Sequence, residues 1–368
     1  MQSHTTIILV FLIPISLIIL LPYLKLNRKF PIKLPWPRKS SEIISLRMYP
    51  IKSCRGLEVT QTILKSHGLD LDRRWMLIDA STNTFLTIRQ IPNMTLITTA
   101  LSSDGEELIV NVPKITETKS DKSQNHEEEN EFHTICIPSH PTPKWLEENT
   151  SISPVRIWDT DTDGYMYSES INAPFSSFLG RNVALVYKGP TPRVLKGNGD
   201  PRLLGRVQTT GFPDVHPVLI ASEDSLRELN TRLGRAGVGP ITVERFRPNI
   251  VVRGGPAWSE DSWKVVRITA DRSRSNPGDG DWERSKLDLD VVARCARCQV
   301  PNVDPGTAVK HKKQPWDMLV SYRRVDEGTR FKPCFGMLSA PRDEGVIRVG
   351  MRMEVLEETN EHRYLTGF

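Results

Sequence analysis

The 368-residue chain contains few cysteines and lacks the signatures of the common redox cofactors. Its five cysteines are odd in number and show no disulfide-framework spacing, so we expect a reducing compartment. No Gly-x-Gly-x-x-Gly follows a strand and no Cys-x-x-Cys-His occurs, which argues against a bound flavin, nicotinamide or c-type haem. The mild net charge of +5 argues against a nucleic-acid groove and favours a pocket for an anion.

One long apolar run stands at the N-terminus. Residues 5–24 are nearly all apolar and could span a bilayer once as a helix. Lys25, Arg28 and Lys29 follow the run and no cation precedes it, so the positive-inside rule places the rest of the chain in the cytosol. A cleaved secretory peptide is the competing interpretation, but such peptides carry their charge before the apolar run. We therefore expect a membrane anchor.

The rest of the chain has the length and composition of two globular domains, with 38 % hydrophobic and 25 % charged residues. Short apolar segments of period two predict a β-rich α+β fold. Strands are predicted over 43–49, 74–79, 84–88, 95–98, 107–112, 134–137, 155–158, 181–187, 217–221, 249–253, 263–268, 287–293 and 345–349. Helices are predicted over 173–180 and 223–233.

Two polar stretches interrupt the predicted strands. Residues 114–133 and 271–286 are rich in charged and small polar residues. Such segments cannot bury enough apolar surface to order themselves. We expect a disordered loop at the first stretch and a flexible insertion at the second.

Cys298 lies in the segment Arg-Cys-Ala-Arg-Cys-Gln-Val-Pro-Asn-Val-Asp-Pro-Gly, which begins at Arg294. The turn-forming residues after it predict a strand-to-loop junction. Basic neighbours, here Arg294 and Arg297, favour the thiolate form of a cysteine, which is the form that a soft metal binds. Cys298 is therefore a candidate metal ligand.

The Cys-x-x-Cys spacing of Cys295 and Cys298 also fits a zinc site, a redox pair or two purely structural cysteines. A zinc site would need two further ligands, for which His311 and Cys334 are available only singly. A thioredoxin-like redox pair should open a helix, whereas the residues after Cys298 predict extended chain and a turn. Two half-buried cysteines at a strand end would need no function at all.

Four other segments place cations or polar side chains at strand ends. They are residues 49–56, 71–75, 212–217 and 245–250. Solvated surface cations would account for any one of them alone. Together with the Cys298 segment and Arg89-Gln90, they resemble the pattern of the molybdenum cofactor sulfurase C-terminal domain family, called MOSC proteins, and most closely its mitochondrial amidoxime-reducing components.

The resemblance covers about residues 42–356. It implies an N-terminal β-barrel-like domain over 42–187 and a MOSC β-barrel domain over 205–357, preceded by the single transmembrane helix. It also implies a bound molybdenum cofactor, whose phosphate and pterin suit arginine forks and a lysine point charge. The implied cofactor-binding residues are Lys52, Ser53, Arg73, Arg247, Asn249 and Arg297. Cys298 would bind the metal, and Asp214 would orient a proton or a substrate amine.

The resemblance implies a membrane-anchored oxidoreductase that reduces N-hydroxylated compounds such as amidoximes and hydroxylamines. Electrons would come from cytochrome b5 and its NADH-dependent reductase. The membrane would be the outer mitochondrial membrane or the endoplasmic reticulum, with the protein facing the cytosol. Two other classes stay open: a cofactor carrier or sulfur-transfer protein without turnover, and a non-catalytic membrane adaptor. The length leaves no room for the pyridoxal-phosphate domain of a complete sulfurase.

Two positions depart from the family pattern. His216 stands where relatives often carry a small hydroxyl residue, and Leu338 stands where an aromatic residue is common near the cofactor. Both changes would alter the wall of the pocket. The substrate range of the family therefore does not transfer directly to this chain.

Overall fold

The computed structural model describes residues 39–115, 131–270 and 286–365. The predicted membrane anchor lies outside the described residues, and so do most of the two polar stretches. Within these ranges, no helix combines the length and apolar character that crossing a bilayer requires.

The largest sheet combines strands from both ends of the chain. Numbered along the chain, its strands are β1 (Ser40–Met48), β2 (Leu57–Val59), β15 (Val218–Ser222), β16 (Ile250–Arg253), β17 (Trp263–Thr269), β18 (Lys286–Ala296), β19 (Cys334–Pro341) and β21 (Arg352–Glu358). Their spatial order is β16-β15-β19-β18-β17-β21-β1-β2. Because β16 also pairs with β1, seven of these strands form a closed ring. The first described strand thus completes a barrel built mainly from the second half of the chain.

The interior of this barrel is apolar because alternate residues of each strand point inward. In β1, a register shift between Ile43 and Ser45 changes the phase of that alternation. Ile43, Leu46 and Met48 consequently all join one buried cluster, together with residues such as Leu289. The shift explains why the period-two pattern of β1 is imperfect in the sequence.

A second barrel is built from the first half of the chain. It is closed by β5 (Trp75–Asp79), β6 (Thr84–Phe85), β10 (Thr150–Ile157), β11 (Thr160–Tyr167) and β12 (Val183–Lys188). Along β5, Trp75 and Leu77 belong to one buried cluster, and Met76 and Ile78 belong to another. β5 is therefore buried on both faces, as its continuous apolar sequence indicates.

Smaller sheets and helices complete the described fold. The other strands are β3 (Gln61–Lys65), β4 (Gly68–Leu69), β7 (Thr98–Leu101), β8 (Glu107–Pro113), β9 (Phe132–Pro138), β13 (Arg193–Val194), β14 (Thr209–Thr210) and β20 (Gly345–Arg348). The helices are α1 (Pro143–Asn149), α2 (Glu169–Leu179), α3 (Pro201–Leu204), α4 (Glu223–Arg235) and α5 (Trp316–Tyr322). Pairing of β20 with β3 connects the two halves of the chain.

Both predicted helices exist, with different lengths. α4 begins after Ser222, whose hydroxyl accepts a hydrogen bond from the Ser225 N–H, and it extends two residues past the predicted end. α2 ends at Gly180 as predicted, because that glycine adopts a left-handed conformation. It begins four residues before the predicted start, since Pro174 lies inside the helix rather than in its first turn.

The strand prediction fails in several places: no strand is predicted at β3, β11 or β21, among others, and two further failures have a clear physical reason. The sequence predicts a strand over residues 95–98, but Pro92–Leu96 is a 3₁₀ helix that begins with a proline, and β7 starts only at Thr98. The sequence predicts no strand at β19, where every residue is buried and Gly336 has a φ of 77°. A strand without buried and exposed alternation gives no period-two signal.

Candidate functional site

One cavity of about 280 Å³ brings together residues from distant parts of the chain. All eight site residues predicted from the sequence line it: Lys52, Ser53, Arg73, Asp214, Arg247, Asn249, Arg297 and Cys298. They come from the turns between β1 and β5, the loop before β15, the turn before β16 and the segment after β18. The structure thus places them at one site, while their individual roles stay predictions.

Several cavity residues have an unusual backbone. Ser53, Arg73 and Arg247 have φ angles of 71°, 48° and 58°, in the left-handed region that favours glycine. Trp158, which also lines the cavity, has a φ of 53°. Each such residue costs roughly 1–3 kcal/mol and persists only where neighbouring contacts hold it. Clustering of this strain around one cavity is typical of a ligand-binding site.

Arg73 and Arg247 share the aromatic ring of Tyr49. Their guanidinium carbons lie 4.4 Å and 4.2 Å from its centroid. Arg73 is fixed further by Asp72, whose carboxylate accepts a hydrogen bond of 2.6 Å. Burial, followed by the nearby charge of Arg73, lowers the pKa of Arg247 to about 10. Two half-buried cations this close together would be stabilised by an anion.

The cavity wall carries far more positive than negative charge. Among its described lining residues, the cations are Lys52, Arg73, Arg89, Arg247, Arg297 and Lys332, and the carboxylate is Asp214. Nη2 of Arg247 and Nε of Arg297 are buried without a hydrogen-bond partner among the described residues. An unpaired buried donor is costly. The cavity is therefore built for an anionic ligand with hydrogen-bond acceptors.

Asn249 is held mainly by the protein itself. Its Oδ1 accepts a hydrogen bond from the Leu219 N–H over 3.0 Å, and its Nδ2 donates to the carbonyl of Arg47 over 3.3 Å. It is 1 % exposed. Only one amide hydrogen is left to donate to a ligand. The main role of the side chain is therefore to connect β1 and β15 at the cavity wall, rather than to recognise a ligand.

Lys52 and Asp214 form an ion pair at the cavity wall. Trp158 Nε1 also donates to Asp214 Oδ1 over 3.1 Å. Burial lowers the pKa of Lys52 to about 8, against the opposite effect of Asp214. Burial would raise the pKa of Asp214, but the charges of Lys52 and Arg89 hold it well below its usual range. These cations keep the Asp214 carboxylate ionised, and 53 % of its side chain is exposed, so it is also accessible from the cavity.

Arg193 positions the loop that carries Asp214. Its Nη1 donates to the carbonyls of Gly211 and Pro213 over 2.8 Å and 2.7 Å, and its Nη2 donates to the carbonyl of Asp214 over 3.1 Å. Hydrogen bonds from a charged donor are strong. Sequence reasoning missed this role, because a single arginine in the two-residue strand β13 carries no pattern that could predict it.

The two cysteines of the Cys-x-x-Cys segment both line the cavity. Arg297 donates from Nη1 to Sγ of Cys295 over 3.0 Å, whereas Arg294 donates to the carbonyl of His362 over 2.9 Å. The guanidinium group of Arg297, expected beside Cys298, therefore contacts Cys295 instead. Arg297 and Cys295 are two residues apart, and such residues lie on the same face of an extended chain. Cys298 makes no hydrogen bond to a described residue, and its thiol is open to the cavity.

The further ligands that zinc would require are not brought to Cys298. His311 is exposed, and its Nδ1 accepts hydrogen bonds from the backbone of Lys313 and Gln314. Cys334 is buried in β19 and does not line the cavity. Over the described ranges, no group of three or more His, Cys, Asp or Glu side chains is arranged to hold a metal ion.

Comparison with known proteins agrees with this geometry. Residues 40–182 match the family model of the MOSC N-terminal beta barrel domain, and residues 207–354 match that of the MOSC domain. The chain belongs to the MOSC family. The family predicted from the sequence is thereby confirmed, and so is a β-rich fold with barrels.

Two curated relatives of this MOSC protein are both named mitochondrial amidoxime-reducing components. Mitochondrial amidoxime-reducing component 1 from Homo sapiens is 28 % identical over 331 residues, covering 86 % of this chain and 85 % of the relative. Mitochondrial amidoxime reducing component 2 from Macaca fascicularis is 27 % identical over 332 residues, with the same coverage of 86 % and 85 %. The crystal structure of the YUAD protein from Bacillus subtilis matches at 10 % identity with a TM-score of 0.33, covering 87 % of this chain and 97 % of that protein.

His216 and Leu338, the two positions predicted to depart from the MOSC pattern, both line the cavity. His216 is 4 % exposed, and neither ring nitrogen has a partner among the described residues. Burial lowers its pKa to about 4, so the imidazole is neutral at physiological pH. A Cβ on Gly199 would lie 2.7 Å from Cε1 of His216, so the ring fits only against a glycine.

Sequence reasoning missed part of the cavity wall in this MOSC protein. The guanidinium carbon of Arg89 lies 4.5 Å from the centroid of a Trp158 ring, and both residues line the cavity. Arg89 belongs to the Arg89-Gln90 pair in the family pattern, which could have identified it. Trp158 stands at the end of a predicted strand, and nothing in its neighbours indicates a site residue.

Proposed function

We propose that this MOSC protein is a molybdenum-cofactor-dependent reductase of N-hydroxylated compounds such as amidoximes and hydroxylamines. One observation carries the proposal: a cationic cavity in which the open thiol of Cys298 lies with arginines whose buried donors have no partner among the described residues. The names of the curated relatives, amidoxime-reducing components, support the same reaction.

The residues of the cavity fit the molybdenum cofactor, a pterin dithiolene with a phosphate group. Arg247 offers a buried Nη2 without a partner among the described residues, and Arg73 lies over the same tyrosine ring. Both suit a phosphate, which accepts paired hydrogen bonds from a guanidinium fork. Lys52 and Ser53 extend this polar wall. Cys298 would bind molybdenum as a thiolate, a ligand that soft metal centres prefer.

The reaction requires two electrons and two protons, which convert an N–OH group into N–H and release water. When bound, the cofactor would supply a metal centre that exchanges electrons and takes part in cleaving the N–O bond. Lys52 Nζ, whose pKa is lowered to about 8, would donate a proton to the departing oxygen. The Asp214 carboxylate would hold the N–H of the substrate, with Trp158 beside it.

Electrons would reach the cavity from a separate protein, for which we propose cytochrome b5 with its NADH-dependent reductase. The N-terminal apolar run would anchor the chain in a membrane with the cavity facing the cytosol. The names of the relatives support the mitochondrion as the location. The outer mitochondrial membrane would then be the site of action.

The test is to purify the full-length chain, measure molybdenum and molybdopterin per protein, and assay reduction of benzamidoxime to benzamidine. NADH, cytochrome b5 and its reductase supply the electrons. Stoichiometric molybdenum with turnover would support the proposal. Molybdenum without turnover, even with a chemical reductant, would favour a cofactor carrier. Absence of both from protein made with an ample cofactor supply would overturn the proposal and leave the adaptor class.

A further inference from the structure

An exposed basic segment, residues 330–332, borders the cavity. Lys332 lines the cavity directly. The carbonyl of the next residue, Pro333, accepts a hydrogen bond of 2.8 Å from the N–H of Arg297, which is itself a cavity residue. Residues 330–332 are therefore fixed at the edge of the cavity.

A second exposed basic segment, residues 309–313, is tied to the same wall. The His311 N–H donates to the carbonyl of Asn302 over 2.9 Å. Asn302 Oδ1 accepts from the Trp316 N–H over 3.0 Å, and Trp316 Nε1 donates to the carbonyl of Arg297 over 3.3 Å. Both segments are thus connected through Arg297. We call residues 309–313 and 330–332 together the basic rim.

The charge of the basic rim is not neutralised within the described chain. Its cations, all exposed, are Lys310, Lys312, Lys313, Arg330 and Lys332, and none of them forms an ion pair with a described residue. The sequence contains no acidic residue between Asp304 and Asp317 or between Glu327 and Asp343. Asp304 is already paired with Arg245 over 2.7 Å. The basic rim therefore presents a positive potential beside the cavity.

Two large apolar side chains project among these cations. Phe331 is 84 % exposed and Val309 is 67 % exposed. Single exposed apolar residues are common on protein surfaces, but these two stand within the two basic segments beside a cavity. An apolar contact surrounded by charge is the usual composition of a transient protein interface.

We propose that the basic rim docks an acidic protein that delivers electrons to the cavity. This inference depends on the proposed function, since a reductase of this kind must receive electrons close to its metal. The cations of the rim would attract the acidic surface and raise the association rate, while Phe331 and Val309 would contact an apolar spot within it. A bilayer on the same surface would keep Lys332 and the adjacent cavity covered, whereas a transient partner leaves between turnovers.

The test compares two double variants of the full-length, cofactor-loaded protein. Lys312→Glu with Lys313→Glu reverses charge in the rim. Lys144→Glu with Arg181→Glu makes the same charge change at residues that do not line the cavity. The donor is the soluble domain of cytochrome b5. We expect the rim variant to raise the KM for the donor by on the order of tenfold at low ionic strength, with kcat nearly unchanged and the difference lost at high salt. Phe331→Ser should raise the KM at every salt concentration.

Two further measurements separate this inference from the proposed function. Turnover with a small chemical reductant should be equal in all variants, and its absence from all of them would count against the proposed function alone. Binding of the oxidised donor, measured by calorimetry, needs no turnover and should weaken only in the rim variants. Equal donor binding by the rim and control variants would overturn the docking proposal. Loss of binding to phosphatidylserine vesicles with an unchanged donor KM would also overturn it and assign the rim to a membrane.

Discussion

Arg73 donates a hydrogen bond from Nη2 to the main-chain carbonyl of Arg247, 3.1 Å away. Both residues have a left-handed backbone, and both guanidinium groups lie over the ring of Tyr49. The contact joins the turn before β5 to the turn before β16, so residues 174 positions apart along the chain form one cationic wall of the cavity. Both arginines line the same cavity, so an anion bound there would lie near two guanidinium groups.

Replacing Arg247 with alanine should reduce cofactor retention at least tenfold. Each hydrogen bond to a charged group contributes roughly 1.5–3 kcal/mol, and the variant loses the buried Nη2 donor. The measurement is molybdopterin and molybdenum per protein after purification. Arg247→Lys should be intermediate, since it keeps the charge without the fork. Arg235→Ala, at the exposed end of α4, is the control. Undiminished occupancy in Arg247→Ala would remove this residue from the site.

Cys298→Ser should abolish amidoxime reduction while the protein stays folded, because an alcohol is a poor replacement for a thiolate on molybdenum. Cys295→Ser should have a much smaller effect, since its sulfur accepts a hydrogen bond from Arg297 that a hydroxyl can also accept. The measurements are bound molybdenum, turnover and the circular dichroism spectrum. Equal losses of molybdenum and turnover in both variants would contradict a single-cysteine ligand and favour a paired site.

The sequence could predict that the site residues come together, because each of the five segments contains residues that favour a turn at the end of a strand. The prolines and glycines around Lys52 and Cys298 mark such turns, and basic residues accompany them. No single segment indicates a shared site, whereas the five segments together do. The structure places all eight predicted residues at one cavity.

The contributions of Arg193 and Trp158 could not be predicted, since both depend on contacts distant in sequence. Arg193 holds carbonyls at residues 211, 213 and 214, and Trp158 reaches Asp214 across 56 positions. The sharing of β1 with the second half of the chain was missed for a related reason. Strand pairing between the two ends of the chain leaves no mark on the local pattern.

Cofactor retention should weaken as the pH rises through about 8, where Lys52 loses its proton. Its charged form favours an anion and is present below that pH. Burial lowers the pKa of Lys52 and the Asp214 carboxylate raises it. Asp214→Asn removes that carboxylate, so the midpoint of cofactor loss should move to lower pH. The measurement is cofactor loss during dialysis at a series of pH values. A midpoint that does not move in Asp214→Asn would show that Lys52 does not control retention.

The same residue, Lys52, should make the stability of the cofactor-free protein rise with pH, in the opposite direction from cofactor retention. Its pKa is about 8 in the folded protein and 10.5 ordinarily, so the unfolded chain binds more protons between those values. The free energy of unfolding should therefore rise with pH over that interval. Lys52→Met removes the titrating group and should flatten this part of the profile, measured by urea denaturation. An unchanged slope in Lys52→Met would contradict the assignment.

Glu260 should make the protein less stable as the pH rises through about 7. Its side chain is fully buried, Oε1 accepts a hydrogen bond of 2.6 Å from Ser225, and Oε2 has no partner among the described residues. Burial raises its pKa from 4.5 to about 7, with Asp261 adding to the shift and Arg323 opposing it. Its full contribution to stability is present below the ordinary pKa of 4.5 and is lost as the pH rises through the folded pKa of about 7. The expected loss in the free energy of unfolding between about pH 5 and 8 is roughly 2–3 kcal/mol. Glu260→Gln cannot ionise and should remove that part of the slope in urea denaturation. Identical slopes in the two proteins would mean that Glu260 has the same pKa in the folded and unfolded states, which would contradict the shift.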